Sequence, residues 1–143
     1  MKKNLLAVLL IVLLAVCLCV SCEEEINDSA AGTTWKTTKT VNYTEADGIW
    51  EETIEYTLAF SNNGTITLTM TLKGLTLDGV DKISTVQESK RVQSYTGTYR
   101  ASSSTTGSFL IYIDSQISCT YMLSENKILL SEAGEPFMDL YKV

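Results

Sequence analysis

Apolar and polar side chains alternate along most of the chain after residue 34. Residues 65–72 show the pattern most clearly, because threonine occupies every odd position and an apolar side chain every even one. Residues 53–60 and 117–123 repeat the alternation. A period of two is typical of a β-strand that buries one face and exposes the other. The pattern therefore predicts an all-β domain, with threonines on the outer face of the strand at 65–72.

Turn-forming residues separate these runs, and most of the turns include glycine. The pair Asn63-Gly64 favours a tight type I′ hairpin, since both central positions of such a turn need positive φ. The spacing predicts about eight strands, with a candidate ninth at 137–142. The eight lie at 35–44, 49–60, 65–73, 83–87, 94–101, 108–113, 116–123 and 127–132.

Residues 82–93 carry the one ambiguous pattern, because Ile83, Val86 and Lys90 suit one amphipathic helical turn as well as a strand. Elsewhere, consecutive strands joined by hairpins need no crossover helix. Closing such a meander on itself removes its exposed edges. We therefore predict that residues 34–143 form an antiparallel up-and-down β-barrel of about eight strands, with an open β-sandwich as the alternative.

The first 21 residues have a different composition. Met1–Asn4 contains two lysines, and Leu5–Val20 is a run of sixteen residues without a polar side chain. Sixteen residues fall short of the roughly 20 that a comfortable membrane crossing needs. A basic start followed by a short apolar block is typical of a secretory signal peptide. We predict a signal peptide at 1–21 rather than a permanent anchor helix.

The end of this segment indicates where cleavage occurs. Three cysteines lie at residues 17, 19 and 22. Only Cys22 follows a small residue, Ser21, whereas bulky side chains precede Cys17 and Cys19. The stretch 19–22 resembles a lipobox in which Cys19 replaces the usual leucine. We therefore predict a bacterial lipoprotein whose Cys22 thiol carries diacylglycerol and whose new amine is acylated. Two or more acyl chains hold a protein stably on a membrane, so no transmembrane helix is required.

A lipid on Cys22 predicts a place in the bacterial cell envelope, on the outer membrane at its periplasmic or surface face. Residues 23–33 are polar and aperiodic, and we expect a flexible tether with a reach of roughly 17–20 Å. The glutamates at 23–25 have two interpretations: a solvated spacer, or a sorting tag that resembles surface-export signals of some diderm bacteria. Glutamate at the second position after Cys22 does not resemble an inner-membrane retention signal.

Charge and residue types limit the chemistry of the domain. The chain has 11 basic and 17 acidic residues, and loss of the two lysines of the signal peptide leaves a net charge of −8. We expect no nucleic-acid partner, because such binding needs a basic surface. The chain has no histidine, which excludes Ser-His-Asp and Cys-His catalysis and histidine metal sites. We predict no enzyme, no metal and no cofactor, and a monomer in which the unpaired Cys119 is a small buried hydrophobe.

A family resemblance covers most of residues 32–143. The segment 32–36, Gly-Thr-Thr-Trp-Lys, looks like the Gly-x-Trp opening of lipocalins, although it has one more residue before the tryptophan. Lipocalins usually cover this tryptophan with an arginine, and no arginine follows Arg100 in this chain. The resemblance implies a barrel with an apolar interior and names no ligand. Three later segments resemble bacterial lipocalin-like lipoproteins: 95–99, 121–130 and 140–142.

Four side chains in the inward phase of the first two strands are candidates for ligand contact: Trp35, Lys39, Glu52 and Tyr56. Trp35 has a second interpretation, as a residue that closes the core. If the first hairpin turns at 46–47, Val41 faces Glu52, and Lys39 lies diagonally across from Glu52 within reach of long side chains. An unpaired charge inside a barrel is costly. Lys39 and Glu52 are therefore expected to pair or to meet a polar ligand, unless both lie at an open rim in water.

Two functional classes remain. The first is a membrane-anchored module whose barrel binds a small apolar or amphipathic ligand, or docks an envelope protein through its open end. The second is a structural or interaction lipoprotein whose barrel is filled by its own side chains. An eight-stranded barrel holds its own side chains or one small ligand. The inward positions contain many large side chains and few small ones, which favours a filled barrel or a shallow mouth.

Overall fold

The computed structural model describes residues 27–143. The predicted signal peptide at 1–21 and the lipidation site Cys22 lie outside the described residues. Within the described range the chain forms nine β-strands, and every paired strand is antiparallel to its neighbour. The bounds are β1 (Thr34–Glu45), β2 (Gly48–Phe60), β3 (Thr65–Leu77), β4 (Val80–Asp81), β5 (Val92–Ala101), β6 (Thr106–Ile113), β7 (Ser115–Leu123), β8 (Lys127–Glu132) and β9 (Glu135–Lys142).

Eight of these strands close into one barrel. Each barrel strand pairs with the next along the chain, and β3 pairs directly with β5 because the two-residue β4 pairs only with β3. Pairing of β9 with β1 closes the sheet. The predicted up-and-down, lipocalin-like barrel of eight strands is therefore confirmed, and the open sandwich is excluded. The candidate strand at 137–142 is also confirmed, as β9.

The strand predicted at 83–87 does not form. Ile83–Thr85 is a turn of 3-10 helix, and Glu88–Arg91 is one turn of α-helix that leads into β5. The Asp81 carboxylate accepts a hydrogen bond of 2.8 Å from the backbone N–H of Ile83. Local bonds of this kind compete with strand pairing, and the helical turn that the ambiguous pattern also allowed forms here instead of the strand.

The contact between β1 and β9, which we name the seam, is the shortest pairing around the barrel. Further along β1, toward its C-terminal end, no backbone pairs join β1 to β9. A side chain of β1 connects the two strands there instead. The Lys39 Nζ atom donates a hydrogen bond of 3.0 Å to the carbonyl oxygen of Phe137. The two backbone pairs of the seam are Trp35 with Lys142 and Lys36 with Tyr141.

The inward faces of the strands form the core, and the threonines of β3 lie on the outer face, as the alternation predicts. On that face the hydroxyls of Thr69 and Ser94 of β5 share a hydrogen bond of 2.9 Å. The largest fully buried side chains come from strands on all sides of the barrel: Leu58, Ile66, Ile111, Ile128 and Leu140.

Aromatic side chains fill the half of the barrel where β1 begins, which we name the closed end. The ring centroid of Phe60 lies 4.9 Å from that of Tyr99 and 5.1 Å from that of Tyr121, both in edge-on geometry. Such pairs stabilise a core beyond the area they bury. Gly107 makes room for the cluster, because a Cβ atom at this position would lie 2.4 Å from the ring of Tyr121.

Residues 28–33 cover the closed end, and we name them the lid. Ala30 is fully buried, and its N–H donates a hydrogen bond of 2.9 Å to the Asp28 carboxylate. The Phe60 N–H donates to the Thr33 carbonyl at 2.9 Å. The flexible tether predicted up to Thr33 is therefore shorter, because the lid belongs to the domain. Residues 28–143 contain the lid and every strand of the barrel, and they form a self-contained fold.

Trp35 lies beneath the lid with only 2% of its surface exposed. Its indole N–H donates a hydrogen bond of 2.8 Å to the hydroxyl of Thr33. The Nζ atom of Lys142 lies 5.9 Å from the centre of the ring, which places a cation against an aromatic face. The cation beside Trp35 is thus Lys142, the last residue of β9. The sequence has no arginine after Arg100 that could take this place.

We predict that Gly107→Ala lowers the free energy of unfolding by about 1–3 kcal/mol, because the added methyl group would overpack the aromatic cluster. The matched control is Gly74→Ala in β3, where the new Cβ would meet Thr53 at an ordinary 3.5 Å. This control should change stability by no more than about 0.5 kcal/mol. Urea denaturation of residues 23–143 measures both values. Equal effects of the two substitutions would show that Tyr121 does not need the space at Gly107.

Candidate ligand-binding site at the open end of the barrel

A cavity of about 260 Å³ occupies the half of the barrel away from the lid, which we name the open end. Inward side chains of six strands form its wall. The Glu132 carboxylate is the only charged group in an otherwise apolar or aromatic lining. The lining residues are Tyr56, Leu58, Leu68, Met70, Phe109, Ile111, Ile113, Ile117, Cys119, Leu130, Glu132, Phe137 and Met138.

Exposure of the lining residues shows where the cavity opens. Leu58, Phe109 and Leu130 lie toward the closed end and are buried, whereas Phe137 is 44% exposed. Ile117, near the start of β7, has an intermediate exposure. The cavity therefore has a buried apolar floor above the aromatic cluster and a mouth at the opposite end of the barrel.

A β-bulge in β9 shapes the mouth. The register with β8 shifts between Leu130 and Ser131, so Phe137 has no residue opposite it. Pro136 precedes it, and proline favours such irregular positions because it cannot donate to the ladder. The bulge leaves the Phe137 carbonyl free to accept the hydrogen bond from Lys39. The ring of Phe137 lines the cavity, so the mouth lies beside the seam.

A second chamber of about 180 Å³ adjoins the mouth, between β2, β3 and the helical turn that precedes β5. Met70 lines both the cavity and this chamber, so the two spaces are neighbours along β3. The chamber carries charge where the cavity does not. We name it the charged chamber; its lining residues are Glu52, Ile54, Met70, Leu72, Lys90, Arg91 and Gln93.

The predicted pairing of Lys39 with Glu52 is wrong, although the register behind it is right. Val41 does face Glu52 in the β1–β2 ladder. Lys39 instead donates to the Phe137 carbonyl, and a Glu52 carboxylate oxygen accepts a hydrogen bond of 2.9 Å from the Tyr43 hydroxyl. Both side chains have intermediate exposure, in agreement with the alternative that places them at an open rim.

The Glu52 contact also affects its partner. Burial and the hydrogen bond to Glu52 raise the pKa of the Tyr43 hydroxyl above its ordinary value. The phenol therefore keeps its proton and remains a donor to the carboxylate. Glu52 consequently has one of its two oxygens occupied at the rim of the barrel.

The remaining two candidates lie at different depths. Tyr56 lines the cavity, as its inward phase predicts. Trp35 packs under the lid at the closed end, and its indole N–H already has a partner in Thr33. This position fits the interpretation of Trp35 as a residue that closes the core. Its cross-strand neighbour Leu58 forms part of the cavity lining.

Sequence reasoning missed three residues of the mouth. Phe137 was missed because a bulge changes which side chains face inward. Pro136 is the one residue in the sequence that indicates the bulge. Lys90 and Arg91 were missed because they belong to the ambiguous segment. A strand and a helical turn would bring different side chains of this segment to the same face. A helical turn brings both cations to the charged chamber.

Cys119 lies in the cavity wall and is 3% exposed. Burial and the negative charge of Glu132 raise the pKa of its thiol to about 11. A thiol with this pKa stays protonated at neutral pH and is a poor nucleophile. The side chain is therefore an apolar part of the lining, as the sequence predicts for Cys119.

No protein-family model, curated protein or solved structure matches the chain. Within residues 27–143, no group of three or more potential ligand side chains is placed to hold a metal ion. In the same range, no helix has the length and apolar character needed to cross a bilayer. The interpretation of the site therefore rests on its geometry.

We predict that stability falls as pH rises above about 9. Burial raises the pKa of Cys119 to about 11 and those of Tyr99 and Tyr121 to about 12, with the negative charge of Asp28 contributing for both tyrosines. The unfolded chain releases these protons near the ordinary values of 9.0 and 10.0, so above pH 9 it binds fewer protons than the folded protein. The free energy of unfolding must then decrease with pH.

The measurement is a series of urea denaturation curves between about pH 8 and pH 11. In Cys119→Ala, the decrease should begin about one pH unit higher, because only the tyrosines then contribute. A decrease that starts at the same pH in both proteins would contradict the assigned role of the thiol.

Proposed function

We propose that this chain is a lipid-anchored protein of the bacterial cell envelope whose barrel binds one small apolar or amphipathic ligand. The observation that carries the proposal is a cavity of about 260 Å³ with an almost wholly apolar wall and one mouth. Ligand sites in proteins are usually concave and mostly apolar, with a few polar groups at defined places. The charged chamber beside the mouth supplies such groups.

The size of the cavity limits the ligand. Sites for drug-sized molecules commonly measure about 300–1,000 Å³, and this cavity lies just below that range. The aromatic cluster occupies the rest of the interior, so a ligand reaches only the upper half of the barrel. A single molecule, either an aliphatic chain that enters end-on or an aromatic group of a few rings, fits this space better than a sterol-sized ring system.

The lid defines the orientation on a membrane if Cys22 carries the lipid. Only residues 23–27 separate Cys22 from the lid. Five residues span at most about 17 Å even when extended. This spacer holds the closed end toward the bilayer and directs the mouth away from it. A ligand would then enter from the aqueous side of the envelope.

A second function, that of an interaction lipoprotein without a small ligand, has an observation of its own. Two large apolar side chains are exposed on the outer face of β6, where Leu110 is 40% and Tyr112 66% exposed. Exposed apolar groups that form a continuous patch often mark contact sites for proteins. The aromatic filling of the closed end is compatible with either function.

We predict that residues 23–143 bind the neutral fluorescent probe N-phenylnaphthylamine, and that Ile117→Trp abolishes this binding. Ile117 lines the cavity, so an indole at this position would fill the space behind the mouth. The matched control is Ser118→Trp, on the exposed face of the same strand, which should leave the affinity unchanged within about twofold. Fluorescence titration measures the affinities, and circular dichroism checks that both variants fold. Absence of binding in the wild-type protein would favour the interaction lipoprotein instead.

We predict that Cys22→Ala prevents incorporation of radiolabelled palmitate in cells and releases the protein from the membrane fraction. The substitution removes the thiol that would carry the diacylglycerol. Cys17→Ala is the matched control, because it changes a cysteine outside the lipobox and leaves the predicted acceptor intact. Labelling and fractionation of cells that express each variant measure the outcome. Palmitate incorporation that persists in Cys22→Ala would contradict lipidation at this residue.

A further inference from the structure

The charged chamber has an uneven balance of charge. Lys90 and Arg91 contribute two positive charges, and Glu52 contributes one negative charge. None of the ion pairs in residues 27–143 includes any of these three side chains. The chamber therefore has a surplus of one positive charge, on a chain whose overall charge is negative. A ligand group with a single negative charge would balance it.

The hydrogen bonds of Arg91 leave a donor without an acceptor. Its Nη2 atom donates to the backbone carbonyls of Ile83 and Val86, at 2.6 and 3.3 Å. Its Nε atom is buried and has no hydrogen-bond partner in the described part of the chain. A buried donor without an acceptor is costly. The carbonyl contacts hold the guanidinium of Arg91 in place in the wall of the chamber.

The carboxylate in the chamber is partly occupied by the protein itself. Glu52 accepts the hydrogen bond from Tyr43, which leaves it less able to attract a cationic ligand. Lys90, by contrast, is exposed. Its side chain makes no hydrogen bond and no ion pair within residues 27–143. Donors therefore predominate over acceptors among the free polar groups of the chamber.

The chamber and the apolar cavity are arranged for one molecule. Met70 lines both, and Ile54 of the chamber lies two residues along β2 from Tyr56 of the cavity. The residues Ile54, Met70 and Leu72 give the chamber an apolar side that continues toward the cavity. A ligand with a polar head and an aliphatic tail could thus place the head at Lys90 and Arg91 while the tail enters the barrel.

We propose that the ligand is an amphipathic carboxylate, such as a fatty acid, whose headgroup binds at Lys90 and the guanidinium of Arg91, which line the chamber together. A carboxylate offers two acceptor oxygens and one negative charge, and it makes strong hydrogen bonds to ionised donors. The proposal rests on the proposed binding function and names its ligand class. Glu52 limits the chamber to a headgroup with one charge, because it repels a second.

The test compares three ligands that share one tail. Dodecanoate, dodecanol and dodecylamine compete for the neutral probe N-phenylnaphthylamine on residues 23–143, below their micelle-forming concentrations. The ionic strength is near 0.15 M, where the screening length is about 8 Å. We expect dodecanoate to bind about tenfold more tightly than dodecanol, and dodecylamine to bind no better than dodecanol.

Substitutions at the chamber separate the head from the tail. Lys90→Gln should weaken dodecanoate about fivefold and leave dodecanol unchanged, and Arg91→Lys should also act on dodecanoate alone. Lys82→Gln is the matched control, because Lys82 lies in the same connection and does not line the chamber. It should change neither affinity.

The outcomes distinguish this proposal from the proposed function. If the probe binds but dodecanoate binds no better than dodecanol, the headgroup site is wrong and the apolar cavity still binds ligands. Preference for dodecylamine, or an equal effect of Lys90→Gln on all three ligands, would also overturn the headgroup site. If neither the probe nor any of the ligands binds to the wild-type protein, both proposals fail together.

Discussion

Closure of the sheet by β1 and β9 is the contact on which the rest of the structure depends. Two residue pairs at the seam join the ends of the chain's β-structure, and without them both strands would expose unpaired edges. Closure also creates an inside, where the aromatic cluster can exclude water and a cavity can exist. The lid and Lys142 secure the same region, because Thr33 of the lid accepts the hydrogen bond from the Trp35 indole and Lys142 lies against the Trp35 ring. The first and last parts of the domain therefore stabilise each other.

Much of this fold could be predicted from local pattern. Alternation places Ile66, Leu68 and their neighbours inward whatever the rest of the chain does, because successive side chains of a strand point to opposite faces. The hairpin at 46–47 fixes the β1–β2 register by the number of residues in its turn. For this reason the pairing of Val41 with Glu52 was correct. Closure followed from the run of short hairpins, since an open meander would leave two edges.

The errors arise where nonlocal contacts decide the conformation. The lid reads as a polar linker, and nothing in residues 28–33 shows that Ala30 fits into the closed end. Lys39 is near Glu52 along the sheet, yet a bulge on a strand almost 100 residues later offers it a backbone carbonyl. The pattern of residues 82–93 suits a strand and a helical turn equally, and the structure has helical turns at Ile83–Thr85 and Glu88–Arg91. Both halves of the candidate site thus depend on contacts that a local pattern does not encode.

The hydrogen bond between Lys39 and the Phe137 carbonyl is the one side-chain link between the two strands of the seam at the mouth in the described part of the chain. Backbone pairing joins β1 and β9 only near the closed end, and the Lys39 side chain, which we name the latch, joins them at the other end. Releasing the latch breaks one exposed hydrogen bond and no ladder of the sheet. A flexible lysine can remake the bond over a range of positions, as a rigid backbone pair cannot. The edge of the mouth beside the seam is therefore held by one side chain and not by a backbone ladder.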